Sequence, residues 1–454
     1  MRRLEHILMK LSRSRAVTFG CNSKIPERNI ALGYLFYICV GFLLLLLPWS
    51  VRDGATATIT DHLFTATSAV STTGLATVDV PATYTTFGMC VILGMIQIGA
   101  IGYMTISSYL MLHITHKMTD RNQGVLQTVI STPYGMNMTS IVDNVVHFTF
   151  IFETIGFVAL WITFGCLGVE VPAWNALFTT VSSFCTAGFS TFSDSLCSFK
   201  GNFAVNIIVA VLSYAGAMGF IVITDLRQKS LNRKYKITFT TRVILSITFW
   251  MTVAGMGILL LFPGEHQSAQ MPTRILEAFF QTMSAMTTVG YNTFDLSSLA
   301  PASCLILSVI MFIGASPSGT GGGVKCTTLS AVYAFVISSL RGKKCVSLRG
   351  NRLPSYRVNT ALSNIIVYGT VLLVGTLLLA VSEKFPLESL LFEAASALGT
   401  VGISLGITSG LSEWGKVIVI GLMYVGRIGV LTLGAALTSH AIDAREQKKA
   451  DLAV

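Results

Sequence analysis

Charge is scarce in this sequence. Asp, Glu, Lys and Arg make up 11% of its 454 residues, against roughly 25% in an ordinary soluble domain. Catalytic clusters are missing too. The seven histidines do not gather inside apolar segments, His113 and His116 fall at a helix end, and no Ser–His pair, Asp pair or metal-ligand spacing lies within a hydrophobic run; that excludes an intramembrane enzyme. Nine scattered cysteines form no disulfide framework. Cys185 and Cys197 could meet on one face, but free buried thiols fit their surroundings better. A cleavable signal peptide is absent as well: the basic stretch at residues 1–28 is too long, and no small-residue cleavage site follows it.

Apolar residues are what the chain has instead, at 52% with a mean hydropathy of +0.68. Long runs such as 30–49, 205–223 and 417–425 predict an integral membrane protein with eight spans and four shorter apolar stretches between them. A net charge of +10 could point to nucleic acid, but its placement excludes that. Of 31 basic residues, 24 lie before the first span, in 226–242, in 341–357, at Lys117 and Arg121, and at Arg445, Lys448 and Lys449, on alternate connections. This positive-inside pattern places both termini in the cytoplasm of a multi-pass protein of the cytoplasmic membrane. The two larger basic connections would touch lipid headgroups or dock a regulatory subunit. Leu4, Ile7, Leu8 and Leu11 could form a helix on the inner membrane face, or the segment is a solvated tail. The other side is acidic (Asp53, Asp61, Asp79, Glu170, Asp194, Glu265, Glu277, Asp295, Glu383, Glu388, Glu393, Glu413), a mouth that would concentrate cations.

The decisive signal is repetition. LFTATSAVSTTGL (63–75), LFTTVSSFCTAGF (177–189), FFQTMSAMTTVGY (279–291) and LFEAASALGTVGI (391–403) align without gaps. Each carries a glycine (Gly74, Gly188, Gly290, Gly402), a threonine two residues earlier (Thr72, Thr186, Thr288, Thr400), a serine six earlier (Ser68, Ser182, Ser284, Ser396) and a phenylalanine ten earlier (Phe64, Phe178, Phe280, Phe392). Each unit reads as span, short apolar stretch, glycine loop, span. The fold expected is all-α: four tandem helix–pore-loop–helix repeats around a central pore with pseudo-four-fold symmetry. The boundaries are a cytoplasmic segment 1–28, repeats 29–112, 113–224, 225–340 and 341–440, and a cytoplasmic tail 441–454. The second spans share a glycine pair, Gly99/Gly102, Gly216/Gly219 and Gly426/Gly429, which close helix packing would explain.

A stretch of about ten residues cannot cross lipid and must re-enter, which is tolerated where protein or a watery cavity covers the backbone. A short helix entering from outside ends near mid-membrane with the negative end of its dipole. The chain then returns in extended form, and glycine supplies the positive φ that aims successive carbonyls at an axis. Such carbonyls replace an ion's water shell. Thr288–Tyr291 spells TVGY, four of the five residues of the potassium filter TVGYG, with Asn292 in the fifth place. Ordinary C-caps are the alternative for any single loop; four loops in one register argue against it.

These single-glycine loops in four unlike repeats resemble the Ktr/Trk/HKT superfamily of potassium transporters over nearly the whole chain. With one span before Gly74, the chain resembles the Ktr membrane subunit (KtrB-like). The resemblance implies potassium uptake, often sodium-dependent, by a homodimer in the lipid bilayer on a KtrA-like cytoplasmic nucleotide-binding regulatory subunit. It assigns the filter to Thr72, Thr73, Gly74 and Leu75, to Thr186, Ala187, Gly188 and Phe189, to Thr288, Val289, Gly290 and Tyr291, and to Thr400, Val401, Gly402 and Ile403, holding potassium through backbone carbonyls. Three repeats have Thr three residues past the glycine (Thr77, Thr191, Thr293) and an acid beyond it (Asp79, Asp194, Asp295), whereas the fourth has Leu405 and no such acid. The ring is asymmetric, and its selectivity is expected to be less strict than that of a symmetric filter. An alternating-access sodium/potassium symporter is the rival; such folds show two inverted halves, not four parallel units.

One segment breaks the pattern. Residues 314–325 (GASPSGTGGGVK) hold five glycines and Pro317 between apolar flanks and cannot continue a helix. A small-residue loop just below the filter could obstruct the path, or be a static kink; in the family this stretch is the intramembrane gating loop. Its expected members are Gly314, Ser316, Pro317, Ser318, Gly319, Thr320, Gly321, Gly322 and Gly323. Arg427, a charge within an apolar span, is expected to bond loop carbonyls or the hydroxyls of Ser316, Ser318 or Thr320. Lys325 is expected to reach toward the cytoplasmic side. Glu153, inside the third span, reads as a packing or hydrogen-bonded residue.

Overall fold

In a computed structural model of the chain, residues 26–102, 138–264, 268, 270–297, 299–317, 319–343 and 345–438 are described. The expectations for the N-terminal basic segment, His113, His116, Ser318, Glu265 and the tail lie outside these residues.

The four short stretches are helices: Ile59–Val70, Pro172–Phe184, Met271–Thr287 and Leu387–Gly399. Their starts are written locally. Thr58 caps the first through a capping box with Asp61, and a proline opens the second and third. With 12 to 17 residues each, at about 1.5 Å per residue, none crosses a hydrocarbon layer of about 30 Å. Each is preceded by a long apolar helix: Pro26–Leu45, Met138–Cys166, Phe239–Leu261 and Ser355–Ser382.

The expectation of eight continuous spans is corrected in the second helices. Among the described residues five helices are long and apolar enough to cross a membrane, or six if the bent pair Glu413–Ile428 and Val430–Leu437, 94° apart, counts as one. The glycine pairs explain why. The first member of each pair lies against the end of its own repeat's short helix. A Cβ on Gly99, Gly216 or Gly426 would collide with the carbonyl of Val70, Phe184 or Leu398, so close packing accounts for these three. The second member breaks the helix: Gly102, Gly219 and Gly429 have φ of 80°, 72° and 89°, a left-handed region cheap only for glycine. In the third repeat the second helix splits outright into Pro301–Phe312 and Cys326–Leu340.

The core makes the repeats one ring. Phe64 packs among fourth-repeat residues including Leu390 and Leu398, and Phe178 among first-repeat residues including Tyr84. Phe280 joins Leu160 and Val205 of the second repeat, and Phe392 joins Leu259 and Leu307 of the third. Each phenylalanine is thus buried in the preceding repeat. Truncating one to alanine costs about 3–5 kcal/mol.

The connection between repeats 3 and 4 carries a small hairpin, Ser347–Leu348 paired with Asn351–Arg352. In the 226–242 connection Tyr235 donates to Asp225 at 2.7 Å, and that carboxylate raises the affinity of the phenol for its proton.

Candidate functional site: a ring of four glycine loops

All four short helices stop in the same way, and glycine does not do the stopping. Thr72, Thr186, Thr288 and Thr400 have φ of 53°, 52°, 59° and 50°. The next N–H, of Thr73, Ala187, Val289 or Val401, donates back to the carbonyl of Ser68, Ser182, Ser284 or Ser396 at 2.8–3.1 Å. That is a Schellman-type ending with threonine in glycine's usual place. A β-branched residue at positive φ is an outlier costing about 1–3 kcal/mol, and here it recurs four times. Two residues on, Gly74, Gly188, Gly290 and Gly402 turn positive again, at 94°, 67°, 86° and 95°. Carbonyls of an ordinary strand alternate in direction; this alternation of handedness turns successive ones to one side.

The four loops meet. A Cβ on Gly74 would collide with the Ala187 carbonyl, one on Gly188 with that of Val289, one on Gly290 with that of Val401, and one on Gly402 with that of Thr73. The same Cβ positions lie 3.0–3.2 Å from the Cα of the next repeat's glycine. The contacts run through the repeats in chain order and return to the first. Meanwhile Leu75, Phe189, Tyr291 and Ile403 are at most 2% exposed, with their side chains in the apolar clusters. Side chains face outward, leaving backbone for the centre.

Residues 313–325 cross beneath this ring. Thr320 Oγ1 lies 3.0 Å from Thr186 Oγ1, a Cβ on Gly321 would meet Thr288 Oγ1, and one on Gly322 would meet Thr400 Oγ1. Arg427 Nη1 donates to the fourth threonine, Thr72 Oγ1, at 2.9 Å and to the Thr320 carbonyl at 2.5 Å. Its other nitrogen donates to the carbonyls of Gly99 and Ala100. Each of the four ring threonines therefore has a loop residue or Arg427 directly against it. The hydroxyls of Thr288 and Thr400 are buried without a hydrogen-bond partner among the described residues. The loop is anchored sideways on the second repeat, Ser316 Oγ donating to Met218 O at 2.7 Å and Thr320 N–H to Gly216 O at 3.0 Å. Ser316 is thus engaged there and not by Arg427. Lys325 does not reach away: its Nζ turns back to Gly321 O at 2.7 Å. A Cβ on Gly314 would collide with the Gly322 carbonyl, and a left-handed Gly323, φ 74°, lets the chain fold back there. On the far side of the loop a cavity of about 750 Å³ opens, lined by Pro317, Gly319, Lys325, Arg357, Asn364 and Arg427 among others.

Outside the ring the acidic side is less open than its composition implies. Asp61 is buried and pairs with Lys416 of the fourth repeat at 2.8 Å while accepting from Thr77 at 2.7 Å. Glu277 accepts from Ser268 and Glu393 from Ser404 and Thr408. Asp79, Asp194 and Asp295 remain exposed. Cys185 and Cys197 are free thiols. Cys185 donates to Gln97 Oε1 at 3.3 Å, and Gln97 Nε2 donates to Glu153 at 2.9 Å, so Glu153 is hydrogen-bonded across repeats 1 and 2. Burial, with Asp194 and Asp295 nearby, pushes the Cys197 thiol up to about 11. The role of Lys416 was missed in the sequence, although a lysine three residues into an apolar helix is a visible signal.

The profile of a cation transport protein family, TrkH, matches residues 35–443. The chain belongs to that family. It is 34% identical over 417 residues to the Ktr system potassium uptake protein B of Vibrio alginolyticus, covering 90% of each chain. It is 31% identical to its Bacillus subtilis counterpart, over 90% of this chain and 92% of that one. It is also 31% identical to the potassium/sodium uptake protein NtpJ of Enterococcus hirae, over 92% and 93%. The crystal structure of the potassium transporter TrkH from Vibrio parahaemolyticus superposes with a TM-score of 0.71 at 22% identity, covering 91% of this chain and 85% of that one. This TrkH-family chain is therefore an all-α membrane protein of four pseudo-four-fold repeats, built for transport and not as an enzyme.

Proposed function

We propose that this TrkH-family chain takes potassium into the cell through a channel-like pore whose filter is the ring of four glycine loops. The observation that carries this reading is the closed circuit of glycine-to-carbonyl contacts through Gly74, Gly188, Gly290 and Gly402. Four helix C-termini aim their negative ends at that ring, and backbone carbonyls there can stand in for an ion's hydration shell without any acidic side chain. The loop at 314–323, with Lys325 and Arg427, is the gate, held shut in this conformation. Sodium is the expected coupling or competing ion, in keeping with the name of the Enterococcus relative, a potassium/sodium uptake protein. The basic connections face the cytoplasm, where a KtrA-like nucleotide-binding subunit would dock on a homodimer in the cytoplasmic membrane. A closed ring of four like-oriented loops fits a pore better than the two rocking halves of an alternating-access symporter.

Potassium-uptake-deficient cells test the reading. The chain is expected to restore growth at low external potassium and Gly290→Ser to abolish it, because the new Cβ would sit at φ 86° and collide with the Val401 carbonyl. No uptake by the unaltered chain, or equal uptake by both, would overturn it.

A further inference from the structure

The four loops share a backbone but not a hydrogen-bond pattern. In repeats 1 and 4 the serine six residues before the glycine accepts from the glycine itself: Ser68 Oγ from Gly74 N–H at 3.0 Å and Ser396 Oγ from Gly402 N–H at 3.1 Å. In repeats 2 and 3 that serine donates to the carbonyl one residue past the glycine, Ser182 to Phe189 and Ser284 to Tyr291, both at 2.8 Å. The Phe189 carbonyl also receives the hydroxyl of Tyr291, at 2.9 Å, from the neighbouring repeat. A carbonyl has two lone pairs, and both are engaged here by donors from the surrounding wall.

The seam between loops 2 and 3 is closed again further out. Asn292, the residue that departs from TVGYG, donates its N–H to Ser195 Oγ at 3.1 Å and accepts from Leu196 N–H at 3.0 Å. Ser195 sits at φ 60° to meet it. Repeats 4 and 1 are joined differently, by the Lys416–Asp61 ion pair behind the loop. The Tyr291 ring is wholly buried, in a cluster with Leu160, Phe280 and Val289, so its hydroxyl is fixed in place.

We infer that Tyr291 is the spacer of the outer filter: its hydroxyl locks loops 2 and 3 at one separation and keeps the Phe189 carbonyl from turning toward the ion, so discrimination of potassium from the smaller sodium ion depends on this phenol. The inference rests on the potassium-pore reading above. Without the hydroxyl, loop 2 can relax inward and offer a tighter, harder site, which favours the smaller cation. Phenylalanine fills the same apolar cluster, so Tyr291→Phe removes the strut and little else.

The test measures, for the full chain in potassium-uptake-deficient cells, the KM for potassium and the inhibition constant for sodium. Tyr291→Phe is expected to lower the preference for potassium over sodium about three- to tenfold, the range one hydrogen bond spans. Ser195→Ala, which loosens the outer tie without touching the filter, is expected to shift the ratio in the same direction by less. A Tyr291→Phe ratio within twofold of the unaltered chain overturns the inference, whatever the maximal rate does. If that variant does not reach the membrane, Ser195→Ala decides alone, and an unchanged ratio there overturns it. Failure of the unaltered chain to take up potassium is a different result, and sinks the transport reading itself.

Discussion

Removing Arg427 should release the loop under the ring of glycine loops. Its guanidinium makes four hydrogen bonds, but Gly99, Ala100 and Thr72 belong to the first repeat, and the bond to the Thr320 carbonyl is the one that holds the loop. A hydrogen bond from a charged donor is worth about 1.5–3 kcal/mol, and each 1.4 kcal/mol is a factor of ten. The shut state should therefore lose about one to two orders of magnitude against the open one. The remaining anchors, Ser316 on Ala217 and Met218 and Thr320 on Gly216, keep the effect near the lower end. Potassium uptake at saturating concentration is expected to rise about tenfold in Arg427→Ala. Arg427→Lys separates two explanations: an ammonium keeps the charge but lacks the planar fork. If the bonding fork matters, lysine behaves like alanine; if charge repulsion alone restrains the ion, lysine behaves like arginine. Unchanged uptake in Arg427→Ala, with the protein present in the membrane, refutes the gate argument.

Two further predictions concern the acidic side of the ring. Lys416 and Asp61 side chains are only 10% and 7% exposed, and deleting one partner of a buried pair costs about 3–5 kcal/mol. Lys416→Met should accordingly lower the thermal midpoint of the purified protein, with Asp61→Asn on top of it recovering part of the loss; additive losses in the double variant would count against the pairing. In a variant whose only cysteine is Cys197, the thiol near 11 should react with an external maleimide about a hundredfold more slowly at pH 8 than a thiol of ordinary pKa near 9. The rate should climb about tenfold per pH unit up to that value, because the thiolate is the nucleophile. Rapid labelling at pH 7 would contradict the half-buried placement of this thiol beside Asp194 and Asp295.

What the sequence made legible was whatever recurs at fixed offsets. Phe64, Ser68, Thr72 and Gly74, with their three sets of counterparts, outline the short helices, the loops and the fourfold order, because each offset answers a requirement that every repeat must meet. Contacts between repeats leave no such periodic mark. Tyr291 on Phe189 and Lys416 on Asp61 each occur at one seam, joining residues 102 and 355 apart. The threonines were visible, but their left-handed φ was not, since threonine ordinarily avoids that region and only the surrounding ring imposes it. Continuous second spans were expected because apolar composition does not register a single glycine at positive φ. Gly102, Gly219 and Gly429 break helices whose hydropathy runs on unchanged.

The same glycines explain why the third repeat carries the loop. In repeats 1, 2 and 4 the second helix stays helical past Gly99, Gly216 or Gly426, touching the carbonyl at the end of its short helix, and breaks three residues later. The helix is thereby held beside the ring and leaves its centre open. In the third repeat the helix ends at Phe312, two residues before the matching glycine, and that residue, Gly314, faces the Gly322 carbonyl of its own repeat. Among the described residues Gly314 makes no contact of that kind with its own short helix, and the backbone runs inward under the threonines. The contacts that hold it there come from its neighbours: Ala217 and Met218 from repeat 2, Arg427 from repeat 4. A loop secured by other repeats is sensitive to small shifts between them. Transplanting GAMG from the second repeat in place of residues 314–317 would give the third helix a wall contact of its own. If the early break is what sends the chain inward, that substitution should leave a pore that no longer shuts, with uptake above that of Ser316→Ala, which removes only the hydroxyl anchor on Met218; a pore that still closes, or uptake no higher than in Ser316→Ala, would show that the break does not place the loop.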